Sequence, residues 1–347
     1  MTFQNELINW YLNNKRDLPW RHTNDAYTIW LSEIILQQTR VEQGLPYFNK
    51  FLENFPTVAD FASATESKVL MLWQGLGYYS RGRNMHATAQ LVMSNHNGNF
   101  PNQHDDLIKL KGIGAYTAAA ISSFSAGEAR AVVDGNVFRV LARYFGISTA
   151  INSPAGKNEF FKLANDLLYA EDSALYNQAI MEFGALQCKP KSPNCAVCPI
   201  SIDCYAFQNK VVNQLPVKIG KAEKKHRYFN YFVCNNGTEV LMKERQAKDI
   251  WQHLYDFPNI ETNSILGTED ADFVKQIKDM FGEEADFKLI TYKKHILTHQ
   301  IIHVQFFALK NYIFNFSKQK ELNWVSLDVL NELPQPNVIK NFIDENF

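Results

Sequence analysis

Leu107-Ile108-Lys109-Leu110-Lys111-Gly112-Ile113-Gly114-Ala115-Tyr116-Thr117-Ala118 is the stretch on which the fold turns. An apolar helical run stops at Gly-Ile-Gly and a second helix opens at once, so two helices meet across a tight turn. Glycines let a backbone come close to a partner, and the first N–H groups of a helix have no partner inside it. Such a turn offers its donors to a phosphate oxygen, which makes Gly112 and Gly114 candidate nucleic-acid contacts. A plain helix–turn–helix corner has the same spelling, because Gly-x-Gly alone is common. The flanking stretches have to decide.

Toward the N-terminus, Glu33 interrupts Ile29-Trp30-Leu31-Ser32 and Ile34-Ile35-Leu36. A carboxyl in such company loses water, which raises its pKa and suits it to donating a proton. The bland alternative is a glutamate on the one wet face of its helix. Toward the C-terminus, Asp134-Gly135-Asn136 follows the apolar run Ala131-Val132-Val133 and precedes a helix opening near Val137. Asp134 and Asn136 are good N-cap residues, and capping alone would explain them. Capping and catalysis are compatible, since a helix N-terminus favours an ionised aspartate. Two carboxyls held in opposite protonation states form an arrangement that cleaves glycosidic bonds.

Further on, four of the five cysteines fall in one run: Cys188, Cys195, Cys198 and Cys204, spaced C-x6-C-x2-C-x5-C. Four thiolates that close can wrap one metal centre. Tetrahedral zinc accepts the same ligands, but structural zinc sites usually show two close pairs, and only Cys195 and Cys198 form one here. The run is assigned to an iron–sulfur cluster. Cys234 stands apart in an alternating strand pattern, as a small buried hydrophobe. Clustered thiols imply a reducing compartment.

The 347 residues suffice for two or three domains, and 46% hydrophobic with 13% aromatic residues describe a globular chain. No apolar run approaches the roughly 20 residues of a membrane span. Helical spacing begins at Phe3, Leu7, Ile8, Trp10 and Tyr11, so no secretory or transit segment is expected. The net charge of −1 does not advertise nucleic acid. Residues 1–225 carry 22 basic against 19 acidic side chains and the remainder 13 against 17, a mild positive excess in the first part.

Helical periodicity runs from residue 1 to 208, and a polar, lysine-rich connector spans 209–226. From 227 to 347 the period changes. Tyr228–Cys234, the turn Asn235-Asn236-Gly237-Thr238 and Glu239–Arg245 read as a β-hairpin. Strands are expected over Phe287–Leu297 and Gln300–Ala308, with helices over 269–281 and 336–345. The second domain is therefore α+β.

Four longer stretches carry a resemblance: Leu18-Pro19-Trp20-Arg21, Ser32-Glu33-Ile34-Ile35-Leu36-Gln37-Gln38-Thr39-Arg40-Val41, Trp73-Gln74-Gly75-Leu76-Gly77-Tyr78-Tyr79-Ser80-Arg81 and Val133-Asp134-Gly135-Asn136-Val137. With the hairpin and the cysteines they resemble the MutY-type adenine DNA glycosylases of the helix-hairpin-helix glycosylase superfamily. The second domain resembles their Nudix-like recognition domain through Ile250-Trp251 to Phe257-Pro258 and Leu297-Thr298-His299. The resemblance implies a mainly α N-terminal helix-hairpin-helix glycosylase fold with a four-cysteine iron–sulfur loop (188–204) and an α+β Nudix-like C-terminal domain.

It also implies a function: excision of adenine paired with 8-oxoguanine or guanine in double-stranded DNA, base excision repair by a hydrolase carrying a 4Fe–4S cluster. The target base is extruded, because its glycosidic bond is unreachable in the stack. By the resemblance Glu33 protonates N7 of the adenine and Asp134 stabilises the oxocarbenium-like sugar, while Tyr116 and Asn136 position the reacting groups. Arg16, Trp20 and Arg21 line the adenine pocket. Gln38, Thr39, Leu76 and Tyr78 wedge into the duplex and hold the orphaned base, and Thr298 and His299 read the lesion. A monomer in the bacterial cytoplasm, associated with the nucleoid and bound to no membrane, is expected.

Three features qualify the comparison. Strand-cutting relatives use a lysine where this chain has Tyr116, and a phenol cannot form an imine, so a monofunctional enzyme is expected. The family often has Phe-Ser-His where this chain has Leu297-Thr298-His299, which keeps a hydroxyl and the histidine but loses an aromatic face. The glutamate-rich helix of active Nudix hydrolases is missing; Asp279-Met280-Phe281-Gly282-Glu283-Glu284 does not supply it.

Overall fold

The structure, a computed structural model, describes residues 2–220, 223–313 and 321–347. The chain divides into two compact units: Met1–Ser63 with Asn84–Lys221, and Ala64–Arg83 with Ala222–Phe347.

The first unit is helical. Helix Phe3–Asn14 starts at the N-cap Thr2 and packs along helix Ser173–Leu186. Helix Gly135–Phe145 turns Val137, Val140 and Leu141 inward at i, i+3 and i+4, the spacing of one helix face. They meet Leu7, Tyr11, Phe160, Ile180 and Phe183 in one core. Truncating fully buried Leu141 to alanine would cost about 2–5 kcal/mol. The helix ends at Gly146, whose φ of 71° lets the chain leave in the left-handed region. Helix Ala26–Ile35, capped by Asp25, packs on helix Ala115–Ala126, so the glutamate of one faces the first turn of the other.

The hairpin is built as expected: a short helix His104–Leu107, the glycine turn, then helix Ala115–Ala126. Gly112 has φ +80°, and a Cβ there would lie 2.9 Å from Asn84 Cβ, so both conformation and contact demand glycine. Gly114 caps the second helix without a side-chain acceptor, and a Cβ would meet nothing within 4 Å. Residues Val211, Val212, Leu215 and Val217, in the lysine-rich stretch, pack against the first unit's core, and Ile151 N–H donates to Val217 O at 3.0 Å.

The second unit holds two sheets. Strands β1 (Lys225–Val233), β2 (Glu239–Glu244), β3 (Tyr255–Asp256), β4 (Asn259–Thr262), β5 (Asp286–Ile296), β6 (Gln300–Lys310) and β7 (Leu322–Ser326) form a four-stranded sheet β4-β1-β6-β5 and a three-stranded sheet β3-β2-β7. β1 and β6 run parallel and their other neighbours antiparallel. The expected hairpin over Tyr228–Arg245 is thereby corrected. Its turn closes, with Asn236 N–H on Glu239 O and Leu241 N–H on Cys234 O, but β1 and β2 then enter different sheets. A strand has only two edges; β4 and β6 occupy both edges of β1, and β3 and β7 those of β2.

The expected strands over Phe287–Leu297 and Gln300–Ala308 are β5 and β6, paired antiparallel. Helix Ala271–Phe281 lays Phe273, Ile277 and Phe281 on Phe232 and Phe307, and helix Asn337–Asn346 stacks Phe342 on Phe306 with ring centroids 4.0 Å apart. Among the described residues no helix is long and apolar enough to cross a membrane.

Candidate active site

Glu33, Tyr116, Asp134 and Asn136 come from three helices of the first unit and line one cavity of about 200 Å³. The apolar helix Ala26–Ile35 faces Glu33 away from bulk water, although part of its side chain opens onto the cavity. The phenol of Tyr116 donates to Glu33 Oε2 at 3.0 Å. Burial pushes the Glu33 carboxyl up to about 7; the Tyr116 bond and the Arg21 charge pull down, and the charge of Asp134 pushes up. Near neutrality this group both holds and releases a proton.

Asp134 caps helix Gly135–Phe145. Its Oδ1 accepts the Asn136 and Val137 N–H groups at 2.8 Å each, and its Oδ2 accepts Asn136 Nδ2 at 2.7 Å. Burial nevertheless holds its pKa above the ordinary aspartate value, against those bonds and the Arg139 charge. At this carboxyl burial and the helix N-terminus thus work in opposite directions. The two acids differ in their partners. Donors serve both oxygens of Asp134, and a proton there would meet no acceptor among these groups, whereas Glu33 receives a single phenol.

Arg16, Trp20, Arg21 and Thr39 line the same cavity. Gln38 does not; at φ +57° it sits in the turn after helix Ala26–Ile35, and its neighbour Gln37 lines the wall instead, donating to Thr117 Oγ1 at 3.3 Å. The structure adds Glu182, which the sequence reading passed over. It is 1% exposed and accepts five hydrogen bonds, three from Arg16 (N, Nε, Nη2) and two from Arg21 (Nη1, Nη2), at 2.6–3.0 Å. Burial would push this carboxyl up, but those bonds win and bring it to about 2. Its sequence signal was the same as that of Glu33, one acid inside an apolar run, Ala179-Ile180-Met181-Glu182-Phe183.

Residues 31–165 match the family model of the HhH-GPD superfamily base excision DNA repair proteins, and residues 230–345 match that of the NUDIX domain. The chain is 31% identical over 348 residues to an adenine DNA glycosylase of Buchnera aphidicola from Acyrthosiphon pisum, covering 99% of this chain and 97% of that protein.

The chain belongs to the adenine DNA glycosylase family.

It is 40% identical to the human adenine DNA glycosylase over 222 residues, 61% of this chain and 41% of that one. A thermostable thymine-DNA glycosylase structure matches with a TM-score of 0.56 at 28% identity, over 60% of this chain and 95% of that one. An endonuclease III–DNA complex at 20% identity and TM-score 0.53 shows the same fold. The enzyme is thus a DNA N-glycosylase that acts on adenine, with a helix-hairpin-helix region and a Nudix-like domain.

In this glycosylase the four clustered cysteines are free, half-buried and gathered around one small pocket with Val140, Arg143 and Phe183. Arg143 organises them. Its guanidinium donates to Cys188 Sγ at 3.3 Å, Lys189 O at 2.7 Å, Pro190 O at 3.2 Å, Val212 O at 3.1 Å and Leu215 O at 3.0 Å. Among the described residues no group of three or more His, Cys, Asp or Glu side chains is placed to hold a metal ion.

In the second unit, Tyr78, Thr298 and His299 line a cavity of about 470 Å³ with Trp251 and His295. The hydroxyls of Tyr78 and Thr298 are hydrogen-bonded, and His299 is exposed on the turn between β5 and β6. Of the four residues expected to wedge into the duplex and hold the orphaned base, Tyr78 is 41% exposed and Leu76 only 7%, so Tyr78 projects and Leu76 does not.

Proposed function

We propose that this glycosylase hydrolyses the N-glycosidic bond of adenine paired with 8-oxoguanine or guanine in duplex DNA, as a monomer, leaving an abasic site and an intact strand. The observation that carries the reading is the single cavity shared by Glu33, Tyr116, Asp134 and Asn136. An adenine turned into it would take a proton from Glu33 at N7, so that the bond between C1′ and N9 breaks with its electrons passing to the base. Asp134 faces the cationic sugar left behind, and Asn136 holds Asp134 in place. Water then adds at C1′ and gives its proton to the Glu33 carboxylate, which returns to its acid form. Glu182, fixed by Arg16 and Arg21, presents a rigid ionic wall to the base. Tyr116 offers no amine, so no imine to the sugar forms and the strand stays whole.

Cys188, Cys195, Cys198 and Cys204 would hold a 4Fe–4S cluster. They ring one small pocket, and four thiolates are the ligand set such a cluster takes. Bound there, the cluster would cross-link the loop 188–204, and hydrolysis asks no electron of it. The loop would then present Lys189 and Lys191 to DNA phosphates. Residues 1–208, 209–226 and 227–347 would act as glycosylase region, connector and lesion reader. Thr298 and His299 would read the base opposite the adenine.

One assay tests the function. Purified protein is incubated with duplexes carrying adenine opposite 8-oxoguanine, oxidised thymine or uracil, with and without alkali. Cleavage only of the adenine duplex, and only after alkali, is expected. A nick without alkali, or a borohydride-trapped adduct in good yield, refutes the monofunctional reading.

A further inference from the structure

Tyr78 carries its side chain from a backbone that resists the part. Gly75, Gly77 and Tyr78 all have positive φ, at 103°, 69° and 47°, and for Tyr78, which has a Cβ, that left-handed conformation is strained. Strain of this kind persists only where the surroundings over-determine the backbone. Within its own segment the loop is tied by Trp73 Nε1, which donates to Gly77 O at 2.8 Å, and by Arg81 N–H, which donates to Tyr78 O at 2.8 Å. Further ties come from far along the chain but inside the same compact unit.

The next residue, Tyr79, points inward and is buried. Its hydroxyl donates to Gln335 O at 3.0 Å and lies 3.5 Å from Asn337 Oδ1, at the entrance to helix Asn337–Asn346. Gln335 is itself fixed: its N–H donates to Gln74 Oε1 at 3.4 Å and its Nε2 donates to Leu330 O at 2.7 Å, while Arg83 Nη1 holds Gln252 O at 2.8 Å. Adjacent tyrosines thus do opposite things. One is anchored to the second unit's C-terminal helix; the other is held out to meet Thr298.

The geometry points to Tyr79 as a positioning residue for recognition of the base opposite the adenine: its bond to Gln335 fixes Tyr78 in the left-handed conformation that joins it to Thr298. This rests on the proposed mispair reading. Loss of the anchor lets the backbone of Tyr78 relax, and the Tyr78–Thr298 pair loses its fixed geometry. The effect falls on the difference between opposing bases rather than on bond cleavage.

The test is Tyr79→Phe, which keeps the ring and removes one hydroxyl. Single-turnover excision of adenine opposite 8-oxoguanine and opposite guanine is measured for wild type, Tyr79→Phe, Thr298→Val and the double variant. The preference for 8-oxoguanine, expressed as the ratio of the two rates, should fall about three- to tenfold in Tyr79→Phe, the scale of one hydrogen bond. The double variant should show no larger fall than the single variants, because both break one device. Gln74→Met, which removes the acceptor for Gln335 N–H, should lower the ratio about two- to threefold by the same scale. A merely structural role would lower both rates together and leave the ratio alone. An unchanged ratio, or independent multiplying effects, overturns the inference. A wild type with no preference overturns the mispair reading beneath it, and the inference with it.

Discussion

Replacing Glu33 with glutamine should cost the enzyme its activity and make it more stable, but only in one pH range. The carboxyl is raised from an ordinary 4.5 to about 7 by burial. The folded protein therefore binds this proton more tightly than the unfolded chain does between those two values. Stability rises with pH where the unfolded state binds more protons, so here it must fall as pH climbs from about 4.5 through 7. A rise from 4.5 to about 7, at about 1.36 kcal/mol per pH unit, corresponds to roughly 3 kcal/mol, fully present at pH 4 and lost by pH 8. Glutamine has no charge to bury and can still accept the Tyr116 phenol. Glu33→Gln should then melt close to wild type at pH 4.5 and roughly 6–12 °C above it at pH 8, taking 2–4 °C per kcal/mol for a unit of this size. Thermal unfolding of both proteins followed by circular dichroism at the two pH values measures it. An equal difference at both pH values would show that Glu33 is not desolvated, and the proton-donor assignment would fall with it.

Asp134→Asn keeps the helix cap but loses the charge facing the sugar; single-turnover excision should drop by about two to three orders of magnitude while duplex affinity, read by gel shift, stays within a few-fold. In wild type the excision rate should decline as pH rises through about 7, since the donor form of Glu33 is then lost; a rate that climbs steadily to pH 9 refutes that. Gly112→Ala forces a side chain onto φ +80° and against Asn84, so it should destabilise the first unit by about 1–2 kcal/mol and weaken duplex binding, with a shallower salt dependence. Cys198→Ser should lower iron content and either folding or DNA affinity; a cluster-free variant that folds and binds normally would remove the loop-fixing role.

Much of the site could be read from the chain because its signals are local. A carboxyl in an apolar run, a Gly-x-Gly turn and an aspartate before a helix each announce themselves within a few residues. Glu182 announced itself in the same way but lacked a visible counterpart, since Arg16 and Arg21 lie about 160 residues away. Long-range pairing hid the rest. The Asn235–Thr238 turn was legible, but nothing near it shows that β4 and β6 claim both edges of β1. The upward push on Asp134 was hidden for a related reason: the cap is local, whereas burial is the sum of everything packed around it.

The anchor of Tyr79 has a consequence for how the molecule is made. Its acceptor lies 256 residues further along the chain. At a synthesis rate of about 5–20 residues per second, the donor waits roughly 10–50 s for a partner to exist. The Gly75–Tyr78 turn is therefore among the last places to reach its final form on the ribosome. A nascent chain stalled before Gln335 would already carry both carboxylates and all four thiols, but it would lack the fastening beside Tyr78.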